Sequence, residues 1–177
     1  SAYESRPLAS LSASGVVISQ VYGGGGNSGA TYTHDFVELY NKGTTTQSVA
    51  GWSIQYASAT GTGNLGASAT QLVALSGSIL PGKYLLIQLA STAAVGASLP
   101  TPDLTGSIAM SGTAGKVALV RQATGLGCNG GSAPCNAAQL ALIEDLVGYG
   151  SANFFEGAAT PTLSNTTAAI RKASGAT

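Results

Sequence analysis

The residues able to do chemistry are few. Two cysteines, one histidine, seven acidic and seven basic residues are spread over 177 positions. Cys128 and Cys135 enclose Asn129-Gly130-Gly131-Ser132-Ala133-Pro134, a turn-forming stretch that lets two sulfurs meet, so a disulfide is the first reading. Metal ligation is the other reading of that spacing. A zinc site needs about four ligands, and His34 is the one histidine on offer. A disulfide implies an oxidising compartment.

A second candidate lies in Val21 to Asn41, where Gly23, Gly24, Gly25 and Gly26 are followed by Asn27 and then Asp35. Successive glycine amides can form an anion-binding nest, and glycine is also what a sharply turned loop between strands requires. A phosphate-binding P-loop needs a lysine and a following helix, and here no lysine follows and a strand comes next. Calcium is a further reading, with Asp35, Asn27 and loop carbonyls as oxygen ligands, although no EF-hand spacing is present. Asp35 and Glu38 lie three apart and Glu144 and Asp145 are adjacent, so on regular strands each pair projects to opposite faces and cannot work as an acid and a base. His34 lacks the Gly-x-Ser-x-Gly elbow that would make it part of a hydrolase triad and reads as a solvent-exposed loop residue. No residue is assigned a catalytic role.

The bulk composition narrows the partners. Only 8% of residues are charged, against roughly a quarter in ordinary soluble domains. Arg171-Lys172 is the one adjacent basic pair, so the clustered cations that bind nucleic acid are missing. No stretch approaches the roughly 20 apolar residues of a membrane span. The uncharged, hydroxyl-rich surface suits the outside of a cell, and Ser1 reads as the start of a mature secreted chain.

The elements that must position these residues are strands. Runs of period two, bounded by turn residues, recur without any long helical stripe. Candidate strands are 16–22, 36–40, 51–56, 71–75, 84–89, 116–121, 143–149 and 168–172. In the third of these Trp52, Ile54 and Tyr56 share the core face while Ser53 and Gln55 face away, with Trp52 as a core anchor. Long Gly/Ser/Thr/Ala-rich connections, at 57–70, 91–105 and 150–167, join them. The expected fold is all-β, an immunoglobulin-like β-sandwich of about eight or nine strands, with helix limited to a turn or two.

Phe36-Val37-Glu38-Leu39-Tyr40-Asn41-Lys42, followed by Gly51-Trp52-Ser53-Ile54, resembles the lamin-tail domain, the immunoglobulin-like module named for nuclear lamins. The bacterial secreted branch is closer. Its pattern is similar to Val17-Ile18-Ser19-Gln20-Val21-Tyr22 with the glycine quartet, Pro81-Gly82-Lys83-Tyr84, Gly115-Lys116-Val117-Ala118-Leu119-Val120, Asp145-Leu146-Val147-Gly148-Tyr149-Gly150, Phe155-Glu156-Gly157 and Leu163-Ser164-Asn165-Thr166-Thr167. The likeness covers roughly residues 16–172. It implies a compact sandwich on secreted or surface proteins, often beside nuclease or phosphatase domains, without catalysis of its own and acting as a tether or interaction module. Two departures stand out. Members usually carry a further acidic strand after the segment matching Arg171-Lys172, and often a cysteine where Phe154 stands.

These readings divide the chain into an extended N-terminal arm, 1–15, and a sandwich, 16–177. A sheet lacking its last strand presents unpaired amides and carbonyls along an edge. An arm from another copy, with Tyr3, Leu8 and Leu11 as its anchors, can fill that edge by main-chain pairing. Repeated head to tail, the exchange does not close on itself and makes a filament. The first expectation is a non-catalytic secreted structural subunit that polymerises with itself. The second is an extracellular module that tethers to cell-envelope glycans, beside a secreted nuclease or phosphatase, through aromatics drawn from Tyr3, Tyr22, Tyr32, Phe154 and Phe155.

Overall fold

The computed structural model describes residues 14–171 together with the backbone of a three-residue strand at 4–6. In chain order the elements are β1 (Glu4–Arg6), β2 (Val16–Tyr22), β3 (Phe36–Asn41), β4 (Gln47–Ser48), β5 (Ser53–Ser58), β6 (Leu72–Ala74), β7 (Ser78–Ile79), β8 (Tyr84–Gln88), β9 (Leu104–Thr105), β10 (Gly115–Val120), α1 (Ala137–Leu142), β11 (Ile143–Tyr149), β12 (Phe154–Glu156) and β13 (Ala169–Ile170). Two sheets pack face to face, one ordered β13-β2-β3-β8-β9 and the other β11-β10-β5-β6. β1 pairs with β12 and β4 with β7 in separate two-stranded ribbons. The chain is an immunoglobulin-like β-sandwich, as its strand pattern predicts.

Alternation explains the core. Val37 and Leu39 of β3, Leu85 and Ile87 of β8, Ile54 of β5, and Val117 and Leu119 of β10 meet between the sheets, all nearly inaccessible to water. In β2 the alternation changes phase, because Val16 and Ile18 face this core and so does Val21. Ser19 is an inserted residue: Ile18 pairs with Leu39 and Gln20 with Glu38, which leaves Ser19 without a partner in the ladder. Such a bulge bends the strand and re-aims the residues beyond it.

The four-stranded sheet is buried on both faces. A second core of Leu65, Ala118, Val120, Leu126, Ile143 and Phe154 lies on its outer side, under residues 121–142 and β12. Trp52, Ile54 and Tyr56 share the core face as expected of 51–56, but the opposite face is not open to solvent. Ser53 and Gln55 are fully buried, while Trp52 is only partly so. Their polar atoms are satisfied from the covering loop: Ser53 Oγ donates to the Gln122 carbonyl, Gln55 Nε2 to the Thr124 carbonyl, and Gln55 Oε1 accepts from the Leu126 N–H. Burying a polar group is tolerable only with such partners. α1 continues the covering loop and is capped by Asn136 and Gln139, each side chain bonding the other's backbone N–H.

One ion pair ties the two main sheets together. β11 also carries a bulge: Leu119 pairs with Asp145 and Val120 with Ile143, so Glu144 is skipped. The bulge overrides the rule that neighbours on a strand point apart, and both carboxylates reach the start of β2. Glu144 Oε1 accepts from the Ser14 N–H and hydroxyl, and Glu144 Oε2 lies 3.4 Å from Arg121. Asp145 Oδ2 accepts from the Ile18 N–H at 2.7 Å and from Arg171 at 2.8 Å. Arg171 in turn donates through Nε to the Ile18 carbonyl and through its main-chain N–H to the Ser19 carbonyl. The backbone groups released by the β2 bulge are thus taken up by one charged pair whose side chains are 1% and 9% exposed.

Breaking a buried pair by removing one partner leaves an uncompensated charge and costs about 3–5 kcal/mol. Asp145→Asn is therefore expected to lower the unfolding free energy by about that amount in urea titration. A loss under about 1 kcal/mol, the level of a surface pair, would show that the clamp contributes little.

Candidate functional site

The glycine quartet is a packing junction. All four glycines are buried. A Cβ on Gly23 would lie 2.2 Å from the Ser111 carbonyl oxygen, on Gly24 2.6 Å from Asn165 Cα, on Gly25 2.1 Å from the Asp35 nitrogen, and on Gly26 2.4 Å from the Ala93 carbonyl oxygen. Four different backbones thus press against this segment, and glycine alone permits that approach. Within the expected ligand loop of Gly23 to Gly26, Asn27 and Asp35, two glycine amides are bonded inside the chain, the Gly25 N–H to Asp35 Oδ1 and the Gly26 N–H to the Tyr32 carbonyl.

Asp35 is 4% exposed and bridges two loops. Oδ1 accepts from the Gly25 N–H at 2.8 Å and Oδ2 from the Met110 N–H at 2.9 Å. Burial raises its pKa to about 6, against the lowering effect of those two hydrogen bonds and of His34. Asn27 is engaged elsewhere, with Asn165 and Thr92, so the structure does not gather Asn27 and Asp35 as one oxygen cage. His34 is half-buried and not the exposed loop residue expected, since its Nδ1–H donates to the Leu89 carbonyl at 2.8 Å. Asn165, which lies within the motif Leu163–Thr167, is a hub: its carbonyl accepts from the Tyr22 hydroxyl and its Nδ2 donates to the Ser28 carbonyl.

Cys128 and Cys135 form a disulfide, with an S–S distance of 2.05 Å. Both sulfurs belong to the second core, and the loop they close is held from below by Lys116. That lysine is fully buried, and its Nζ donates to the Asn129 carbonyl at 2.8 Å and to Asn153 Oδ1 at 2.9 Å. Burial pulls its pKa down to about 8. Phe154 stands against Gly130 of the loop, and its neighbour Asn153 receives the lysine. Lys116 therefore couples the disulfide loop to the entry of β12.

The arm anchors Tyr3, Leu8 and Leu11 lie outside the described residues. The backbone of β1 pairs in parallel with β12, in the register Glu4–Phe154, Ser5–Phe155, Arg6–Glu156. At the other border, β13 covers β2 only opposite Val21 and Gln20. Between these elements lies a groove of about 440 Å³, walled by Ile18, Val21, Val147, Ala169 and Ile170 and bordered by Glu156 and Arg171. Glu156 Oε2 is buried and receives no donor among the described residues, while the Glu156 carboxyl shares a hydrogen bond with the Asp145 side chain. Burial, reinforced by Asp145 and only partly offset by Arg171 and Lys42, lifts the Glu156 pKa from 4.5 to about 8.

The exposed aromatic patch falls elsewhere than expected. Tyr22 and Phe154 are buried, and Tyr22 packs with Tyr32 and Phe36. Tyr84, 58% exposed, instead lies over Tyr40 with ring centroids 4.7 Å apart on the outer face of the five-stranded sheet. Among the described residues no three His, Cys, Asp or Glu side chains group as metal ligands, and no helix is long and apolar enough to cross a membrane.

Taken together, the buried carboxylates and the buried lysine bind backbone, and the open features are a sheet border and a groove. That combination defines a β-sandwich of the structural and protein-interaction class. The chain belongs to the lamin tail domain family, which matches residues 9–144. This is an immunoglobulin-like, non-enzymatic fold family. The match begins within the N-terminal arm, earlier than the residues from 16 onward that carry the resemblance, and ends at the β11 bulge. No curated protein matches the chain.

The shifted carboxyl of Glu156 has a measurable consequence. The folded chain keeps its proton between about 4.5 and about 8 while the unfolded chain has released it, so its contribution lowers stability as pH rises through that window. Thermal melts should show the stability of Glu156→Gln improving relative to the parent between pH 5 and 8. Parallel melting curves for the two proteins across that range would contradict the assignment.

Proposed function

We propose that this chain is a non-catalytic, secreted structural subunit whose copies join by donating the N-terminal strand. What supports this reading is the β1–β12 ribbon, formed within one chain, in which a three-residue strand is attached through main-chain pairing alone to an element with no other strand partner among the described residues. An element held in this way can pair with the same register in its own copy or in a neighbour, which is the exchange that links protomers in domain swapping. Main-chain hydrogen bonds give the affinity and alternate side chains give the register. Applied head to tail, the exchange extends indefinitely.

Other features support the same reading. The formal net charge is zero, so copies stacked along a fibre do not repel one another strongly. The disulfide fits an oxidising exterior. A bacterial secreted origin accords with the motifs from Val17 to Thr167 that resemble that branch of the family. Catalysis has no place in this reading, nor does nucleic acid, a cofactor or calcium.

A second reading, a tether for cell-envelope glycans, is favoured by the Tyr40–Tyr84 pair. The electron-rich ring faces of an exposed tyrosine pair offer a flat platform for the C–H faces of sugar rings.

Removal of residues 1–13 tests the first reading. The expected outcome is folded monomer by light scattering at concentrations where the parent forms filaments in negative-stain micrographs; filaments unaltered by the deletion would refute it. The tether reading expects a monomeric parent that sediments with purified envelope polysaccharide, with Tyr84→Ala reducing the bound fraction at least severalfold. Equal sedimentation of the two proteins would dismiss it.

A further inference from the structure

The buried amine of Lys116 faces an acyl group. Its ladder neighbours are Gly148 on β11 and Ala57 on β5, so neither adjoining strand offers it a charged partner there. Its Nζ donates to the Asn129 carbonyl at 2.8 Å and to Asn153 Oδ1 at 2.9 Å. Burial alone lowers its pKa to about 8, which leaves part of the population as free amine near neutral pH. A free amine has two N–H donors, and these two acceptors match them, so its lone pair stays uncommitted. A lysine desolvated in this way is an activated nucleophile.

Asn153 is held as the reaction partner. Its main-chain N–H donates to the Ala59 carbonyl at 3.0 Å. Phe154, the next residue, is fully buried against Gly130, where a Cβ would lie 2.1 Å from its ring. The Asn153 amide rests on Gly131, where a Cβ would lie 2.3 Å from Nδ2. The Cys128–Cys135 disulfide closes the loop that carries both glycines and the Asn129 carbonyl, so a single covalent ring braces the nucleophile and the acyl group together. Groups fixed with their reacting atoms about 3–3.5 Å apart turn a bimolecular step into a unimolecular one. The Asn153 carbonyl carbon is one bond beyond the 2.9 Å contact.

We propose that Lys116 and Asn153 condense into an intrachain amide that cross-links β10 to the entry of β12. The Nζ–Cγ bond forms and the Cγ–Nδ2 bond breaks. One Nζ proton passes to Nδ2, which departs as ammonia, and no oxidant, reductant or second substrate takes part. Among the described residues no carboxylate contacts either side chain, so the amine itself supplies that proton. No strand of the two main sheets pairs with β12, and the cross-link ties it covalently to the four-stranded one. The inference is independent of strand donation and of glycan tethering, because the bond lies within one chain.

Intact mass spectrometry of the full chain, after reduction of the disulfide, tests this. The parent is expected to be lighter than its sequence mass by one ammonia, with Lys116→Arg and Asn153→Ala each at full mass. Tandem spectra of a digest are expected to show a branched peptide joining the Lys116 segment to the Asn153 segment. A parent at its full sequence mass would overturn the proposal. So would an ammonia loss that persists in Asn153→Ala, or one that maps to Asn129-Gly130, a pair able to lose ammonia by closing on its own backbone. The branched peptide is read from the parent alone, so the test stands even where a variant does not fold.

Discussion

The ion pair between Asp145 and Arg171 sits where two strand irregularities face each other across the border of the sandwich. The bulge at Ser19 frees backbone groups of β2, and the bulge at Glu144 turns a carboxylate of β11 toward them. A bulge costs ladder hydrogen bonds, and here the charged pair restores them. The arrangement gives the fold three things at once. It changes the phase of β2 so that Val21 can join the core. It joins the two main sheets at a border that β13 covers for only two residues. It also shapes the groove, because Ile18 and Arg171 form part of its wall. Breaking the pair disturbs core, border and groove together.

Much of this architecture is legible in the amino-acid order. The strands 16–22 and 143–149 coincide with β2 and β11, because each is rich in β-branched, aliphatic and aromatic residues with turn residues close by. What escapes notice has identifiable causes. β4, β7 and β9 are two residues long, too short for any periodicity to register, whereas β13 lies within the expected strand 168–172. β12 hides in a polar stretch because its partner is β1, 150 positions away along the chain. Ser53 and Gln55 look solvent-facing because alternation records polarity but not the loop that covers them and supplies their hydrogen bonds.

The functional residues follow the same logic. The glycine quartet offers the right chemistry for a ligand loop, but only the contacts with Ser111, Asn165 and Ala93 reveal that its surroundings are filled by protein. Cys128 and Cys135 are readable from spacing alone, since six intervening turn-forming residues suffice to bring them together. Glu156, by contrast, sends no signal in the sequence. Its raised pKa arises from burial and from the hydrogen bond and charge of Asp145, all products of the folded chain. Charged groups are scarce, and the structure devotes most of the buried ones to backbone carbonyls and amides, which leaves the sheet border as the surface on which interaction can act.

Electron cryomicroscopy of the assembled protein tests the central claim most directly. Strand donation predicts density for residues 4–6 of one copy alongside Phe154–Glu156 of the next, repeated with the helical symmetry of a fibre. Density showing every copy with its own strand seated on its own β12, or a specimen of dispersed monomers, would contradict it.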